Sequence, residues 1–76
     1  MRTYKVEEVD RDISLTEAIV EAPAPFKAAE EAVRRKVTLR RGEANWIRVS
    51  ELSPRRGQNP RLARVFEYVG IGPKRS

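Results

Sequence analysis

The side chains that most often carry chemistry are missing from this sequence, which has neither cysteine nor histidine. Their absence removes the commonest zinc ligands, the usual nucleophile–base pairs and the one side chain that titrates near neutral pH. What remains is carboxylates, guanidinium groups and a few rings. The carboxylates gather early, as Glu7, Glu8, Asp10, Asp12, Glu17 and Glu21. Paired carboxylates can hold a hard cation or work as general acid and base. The spacing here fits no metal-binding loop, and no glycine-rich loop or base partner accompanies it. These residues read as solvated strand edges and a turn. No catalytic residue, metal, cofactor or small-molecule substrate is expected, and the chain reads as non-enzymatic.

Binding chemistry is better represented. Trp46, Arg48, Arg64, Phe66 and Tyr68 alternate with apolar residues in stretches that read as strands. If a helix covers the aliphatic side of the sheet, these rings and guanidinium groups share the open side. Rings that stack on bases and arginines that hold phosphates are how several single-strand nucleic-acid modules work. Two other readings stand beside that one. The rings can be the core proper, since aromatics bury the most area, or the open face can meet a protein partner or a second copy.

A further cluster lies in Ser53-Pro54-Arg55-Arg56, with Arg61 close behind. The Ser-Pro-basic-basic pattern resembles the repeats of DNA minor-groove tails, although this chain has one copy and a solvated basic loop is the plainer reading. The charge is lopsided by halves. Residues 1–33 carry four basic and eight acidic side chains, and residues 34–76 carry twelve basic and three acidic, giving the overall +5. Arginines outnumber lysines twelve to four, and arginine's planar fork suits phosphate or carboxylate. The basic half therefore either meets a polyanion or complements the acidic half, within the fold or across a dimer.

Seventy-six residues are enough for a single small domain with a modest core. No apolar run approaches the roughly 20 residues of a membrane span and no charged-then-apolar leader opens the chain, so a cytoplasmic location is expected.

The elements that must position these groups follow from periodicity. Thr3–Val9 alternates as a strand, and Asp10-Arg11-Asp12 suits a turn. Residues 15–22 are ambiguous. Ser14 and Glu17 form a capping box with apolar residues at helical spacing, yet Ile19 and Val20 are β-branched and Pro23 pushes Ala22 towards an extended backbone. A strand at about 17–22 is the reading adopted. Pro25 opens a helix of about 25–36 with Phe26, Ala29 and Val33 on its buried stripe, and Arg34, Arg35 and Lys36 in its last turn. Glu30–Arg34 and Glu31–Arg35 are favourable i,i+4 pairs on it. Val37–Arg40 and Asn45–Glu51 read as a hairpin around Arg41-Gly42-Glu43. Residues 53–60 read as a loop, 62–69 as the last strand and 70–76 as a mobile tail.

The expectation is one α+β domain over residues 1–69, a mainly antiparallel sheet of four to five strands with one helix on one face. Its leading function is a small interaction domain of protein partner or homodimer. The alternative is a nucleic-acid-binding module using the Arg-rich loop 53–61 and the aromatic and arginine face.

Overall fold

The computed structural model describes residues 1–52 and 64–71. It contains β1 (Arg2–Asp10), β2 (Ile13–Ala22), α1 (Pro25–Val33), β3 (Val37–Leu39), β4 (Asn45–Leu52) and β5 (Val65–Gly70). All strand pairs are antiparallel, in the order β2-β1-β4-β5-β3. The helix packs on one face. The α+β expectation holds in outline, and the interest lies in where the details depart from it.

β1 and β2 form a hairpin through Arg11 and Asp12, both with positive φ. Positive φ at both central residues is the turn whose twist matches the flanking strands. Within this hairpin Glu8 faces Thr16 and Val9 faces Ser14, so Leu15 is one extra residue and a bulge on β2. The extended reading of residues 17–22 is correct, and the strand reaches back to Ile13. The capping box at Ser14 does not act as one, because Ser14 Oγ donates instead to Glu7 Oε2 (2.9 Å).

Alternation along β1 sends Tyr4 and Val6 to the helix side. The register then brings Val20, Val49 and Ile47 to the same side, with Phe66 opposite Val49 and Tyr68 opposite Ile47. Together with Ala22, Ala28 and Ala29 these make the core, and Val33 and Val37 pack against it.

The helix is shorter than the expected span of about 25–36. It stops at Val33 because Arg34 turns left-handed (φ 57°) and its N–H bonds to the Glu30 carbonyl, a common helix stop that usually employs glycine. Arg35 and Lys36 thus lie beyond the last turn. Glu30 pairs with Lys27 (3.9 Å) and accepts from the Val37 N–H (3.3 Å), in place of the expected pairing with Arg34. Phe26 is not part of the buried stripe either. It is 44% exposed beside the Lys27 ammonium, while Ala28 and Ala29 are fully buried. Small side chains let the helix backbone lie close on the sheet, and a ring in its first turn overhangs the contact.

The expected hairpin of β3 with β4 does not form, since β3 pairs with β5 and β4 with β1 and β5. The reason lies in β4, where Trp46 is buried on one face and Ile47 and Val49 on the other. A strand that buries both faces belongs at the centre of a sheet. β3 has only three residues, with Leu39 exposed, and sits at an edge. Two backbone bonds extend its pairing with β5, from Arg40 N–H to the Glu67 carbonyl (3.1 Å) and from Ile71 N–H to the Lys36 carbonyl (2.7 Å). The loop expected at residues 53–60, the first residues of the expected strand 62–69 and most of the tail lie outside the described residues.

Candidate functional site

The open side of the sheet is built by the alternate residues of each strand. β1 contributes Lys5, Glu7 and Val9, β4 contributes Trp46, Arg48 and Ser50, and β5 contributes Val65, Glu67 and Val69. Of the five rings and guanidinium groups expected here, only Trp46 and Arg48 share this side. Phe66 and Tyr68 lie on the other side, under the helix, Tyr68 in the core and Phe66 packed against it. The expectation of one aromatic face fails because it rests on the relative register of β4 and β5, which sets Ile47 and Val49 opposite the two rings. Arg64 is exposed just before β5, and its carbonyl accepts from the Glu51 N–H (2.9 Å). Arg55, Arg56 and Arg61 lie outside the described residues.

Trp46 itself is 7% exposed. The guanidinium of Arg40 stacks on its ring at 4.3 Å and that of Arg48 stands at 5.1 Å. Sequence reasoning did not find Arg40 as part of this group, because its position depends on β3 lying beside β5. Each of the two guanidinium groups is engaged a second time. Arg40 bonds to Glu67 (3.1 Å) and to the Glu43 carbonyl (3.0 Å), and Arg48 pairs with Glu7 (3.7 Å). Glu7 is buried, and besides Arg48 it accepts from Ser14. Lys5 pairs with Glu17 across β1 and β2 (3.3 Å). The open side is thus a chain of cation–π contacts and ion pairs that the protein completes by itself. A base has no bare ring to stack on there.

Charge on the described residues follows the same pattern. Eleven basic side chains are matched by eleven acidic ones. The five others, Arg55, Arg56, Arg61, Lys74 and Arg75, account for the whole excess of +5.

Among the described residues three groups have shifted titration. Hydrogen bonds from the backbone N–H groups of Arg41 and of Glu43 itself pull the exposed Glu43 carboxyl down. A side-chain hydrogen bond to Glu51 raises Arg2, and burial pushes the Tyr68 phenol up. None of these sits beside a nucleophile. A shallow cavity of about 220 Å³ lies between Glu8, Asp10, Leu15, Arg35, Asn45 and Gly70. Among the described residues no three acidic side chains gather to hold a metal ion, and no helix is long and apolar enough to cross a membrane.

The exposed feature that the chain leaves unfinished is an edge. β2 is an outer strand of ten residues, eight of them exposed. Ile13, Leu15 and Ile19 on it are 64%, 62% and 62% exposed. Natural edges are usually blunted by lysine, proline, bulges or brevity. β2 has no lysine and no proline, is long, and carries one bulge at Leu15 with two glutamates as its only charges. Among the described residues no strand pairs with the side of β2 turned away from β1, where Ile13, Leu15 and Ile19 stand exposed.

No protein-family model, curated protein or solved structure matches this chain.

Proposed function

We propose that this chain is a small non-enzymatic interaction domain of the cytoplasm that binds protein by adding a strand to the free edge of β2. Strand addition draws affinity from main-chain hydrogen bonds and selectivity from alternate side chains. The observation that carries the reading is the gathering of Ile13, Leu15 and Ile19 on one long edge that no other strand pairs with among the described residues. An aliphatic side chain left in water forgoes roughly 1.5–3 kcal/mol of burial, and three on one edge favour a covering strand. The non-enzymatic part rests on residue types, since the sequence has no cysteine or histidine. The cytoplasmic part rests on the absence of cysteine and fits a reducing compartment.

Nucleic-acid binding is the second reading, and the confinement of all net positive charge to Arg55, Arg56, Arg61, Lys74 and Arg75 is what favours it. Retention on heparin and on single-stranded DNA across a salt gradient separates the two. Strand addition expects no saturable binding to either at physiological salt. Binding that weakens linearly on a logarithmic salt scale, and by roughly two units of slope less in Arg55→Ala with Arg56→Ala, would replace the protein-binding reading with the nucleic-acid one.

A further inference from the structure

We infer that the strand added to β2 is β2 of a second copy, antiparallel and centred on Ala18, which joins two five-stranded sheets into one of ten. This rests on the strand-addition reading and names its partner. A two-fold axis perpendicular to the sheet keeps both helices on the same side and passes midway between the two copies of one residue of β2. The choice of that residue is decided by charge and by chain geometry.

Centring on Glu17 sets its carboxylate against Glu17 of the second copy. Centring on Ile19 sets Glu17 against Glu21 of the second copy, and does so twice. Like charges directly opposite each other disfavour pairing. Centring on Thr16 runs at once into the bulge at Leu15, and centring on Val20 runs after two residues into Pro23, which has no N–H to give. Ala18 and Val20 each leave two regular residues on each side with no carboxylate opposite another. They differ in the carboxylate set against Ile19 of the second copy. It is Glu17, paired with Lys5 of its own chain, for Ala18 and Glu21 for Val20, so Ala18 is the centre assigned.

In that register Thr16 lies opposite Val20 of the second copy on the helix side, and Glu17 opposite Ile19 of the second copy on the open side. Glu17 is already neutralised by Lys5 of its own chain at 3.3 Å. The two Ile19 side chains then lie on a diagonal of about 7–8 Å, which long side chains bridge. The pair at the axis is alanine against alanine, so nothing bulky obstructs the approach. A register free of like-charge and steric conflict, with Glu17 already paired to Lys5 and the two Ile19 side chains brought together, is what points to a second copy over a foreign strand.

The chain has no cysteine, so a single introduced thiol reports on pairing without background. Residues directly opposite on paired strands have Cβ atoms about 4.5–5.5 Å apart, near enough for a disulfide after slight adjustment. The experiment is sedimentation equilibrium of the full chain from micromolar to millimolar concentration, with mild oxidation of Ala18→Cys and of Thr38→Cys. Thr38 lies on β3, the opposite edge of the sheet. A monomer–dimer equilibrium is expected, with covalent dimer from Ala18→Cys and none from Thr38→Cys. Ile19→Glu, a change at an exposed position that faces Lys5 of its own chain, sets a carboxylate opposite Glu17 of the second copy at two symmetric places. It should leave the melting temperature in place and raise the dimer dissociation constant about tenfold. A monomer at every concentration overturns the self-pairing. So does a dimer that forms disulfide through Thr38→Cys, or one indifferent to Ile19→Glu. None of these outcomes depends on the heparin and DNA measurement, which alone decides between protein and nucleic acid.

Discussion

Trp46 has two guanidinium groups against its ring, and among the described residues its buried indole N–H has no hydrogen-bond partner. A buried unpaired donor costs about 1–3 kcal/mol, so the ring's area and its two guanidinium neighbours must outweigh that loss. Trp46→Ala should therefore destabilise the fold by about 3–5 kcal/mol, the range for removing a buried large aromatic, as read by chemical denaturation. Arg40→Ala should cost about 1 kcal/mol, as a cation–π contact does, and should shift the emission of this single tryptophan to the red as water reaches the ring. Tyr68 makes a pH-dependent claim. Burial raises its phenol above the ordinary value in the folded state, so the folded chain holds that proton more tightly than the unfolded chain. Its contribution is complete below about pH 10 and is lost as pH rises through the folded value. Melting temperature should fall in that alkaline window, and Tyr68→Phe should flatten the fall.

The helix and strand scale shows what sequence reasoning can and cannot reach. α1 rests on the sheet through Ala28 and Ala29, so Ala28→Leu should overpack the contact at a cost of about 1–3 kcal/mol. Phe26→Ala, at an overhanging position, should cost less than about 1 kcal/mol. The same element ends on Arg34 in a left-handed conformation that costs a side-chain-bearing residue roughly 1–2 kcal/mol. Arg34→Gly should recover part of this and raise the melting temperature. Strand periodicity in β1 and β4 was legible because alternation is a local property, whereas β2, whose apolar residues fall at helical spacing, was read as extended only from Ile19, Val20 and Pro23. The partner of β3 was not legible, since turn chemistry at Arg41-Gly42-Glu43 looks the same whether the next strand lies adjacent or one place over. Nor was the split of Trp46 from Phe66 and Tyr68, because relative register is a contact between distant residues, and a one-residue slip reverses every side chain. Arg40 joined the Trp46 group through those same two unseen facts.

At the scale of the whole molecule, the described residues balance in charge, the excess lies in two stretches outside them, and among the described residues nothing pairs with the outer side of β2. The first feature says that the opposite charges of the two halves cancel over the described residues, and Arg48 with Glu7 is a pair that joins them. The second feature underlies the proposal that a further strand joins the sheet at β2. Amide hydrogen exchange along β2, followed as the protein is concentrated, tests this most directly. The account expects protection of the outward-facing amides between Thr16 and Val20 to rise with concentration, while the amides of β3 stay unchanged. Exchange along β2 that is independent of concentration, with protection appearing only when single-stranded DNA is added, would contradict it.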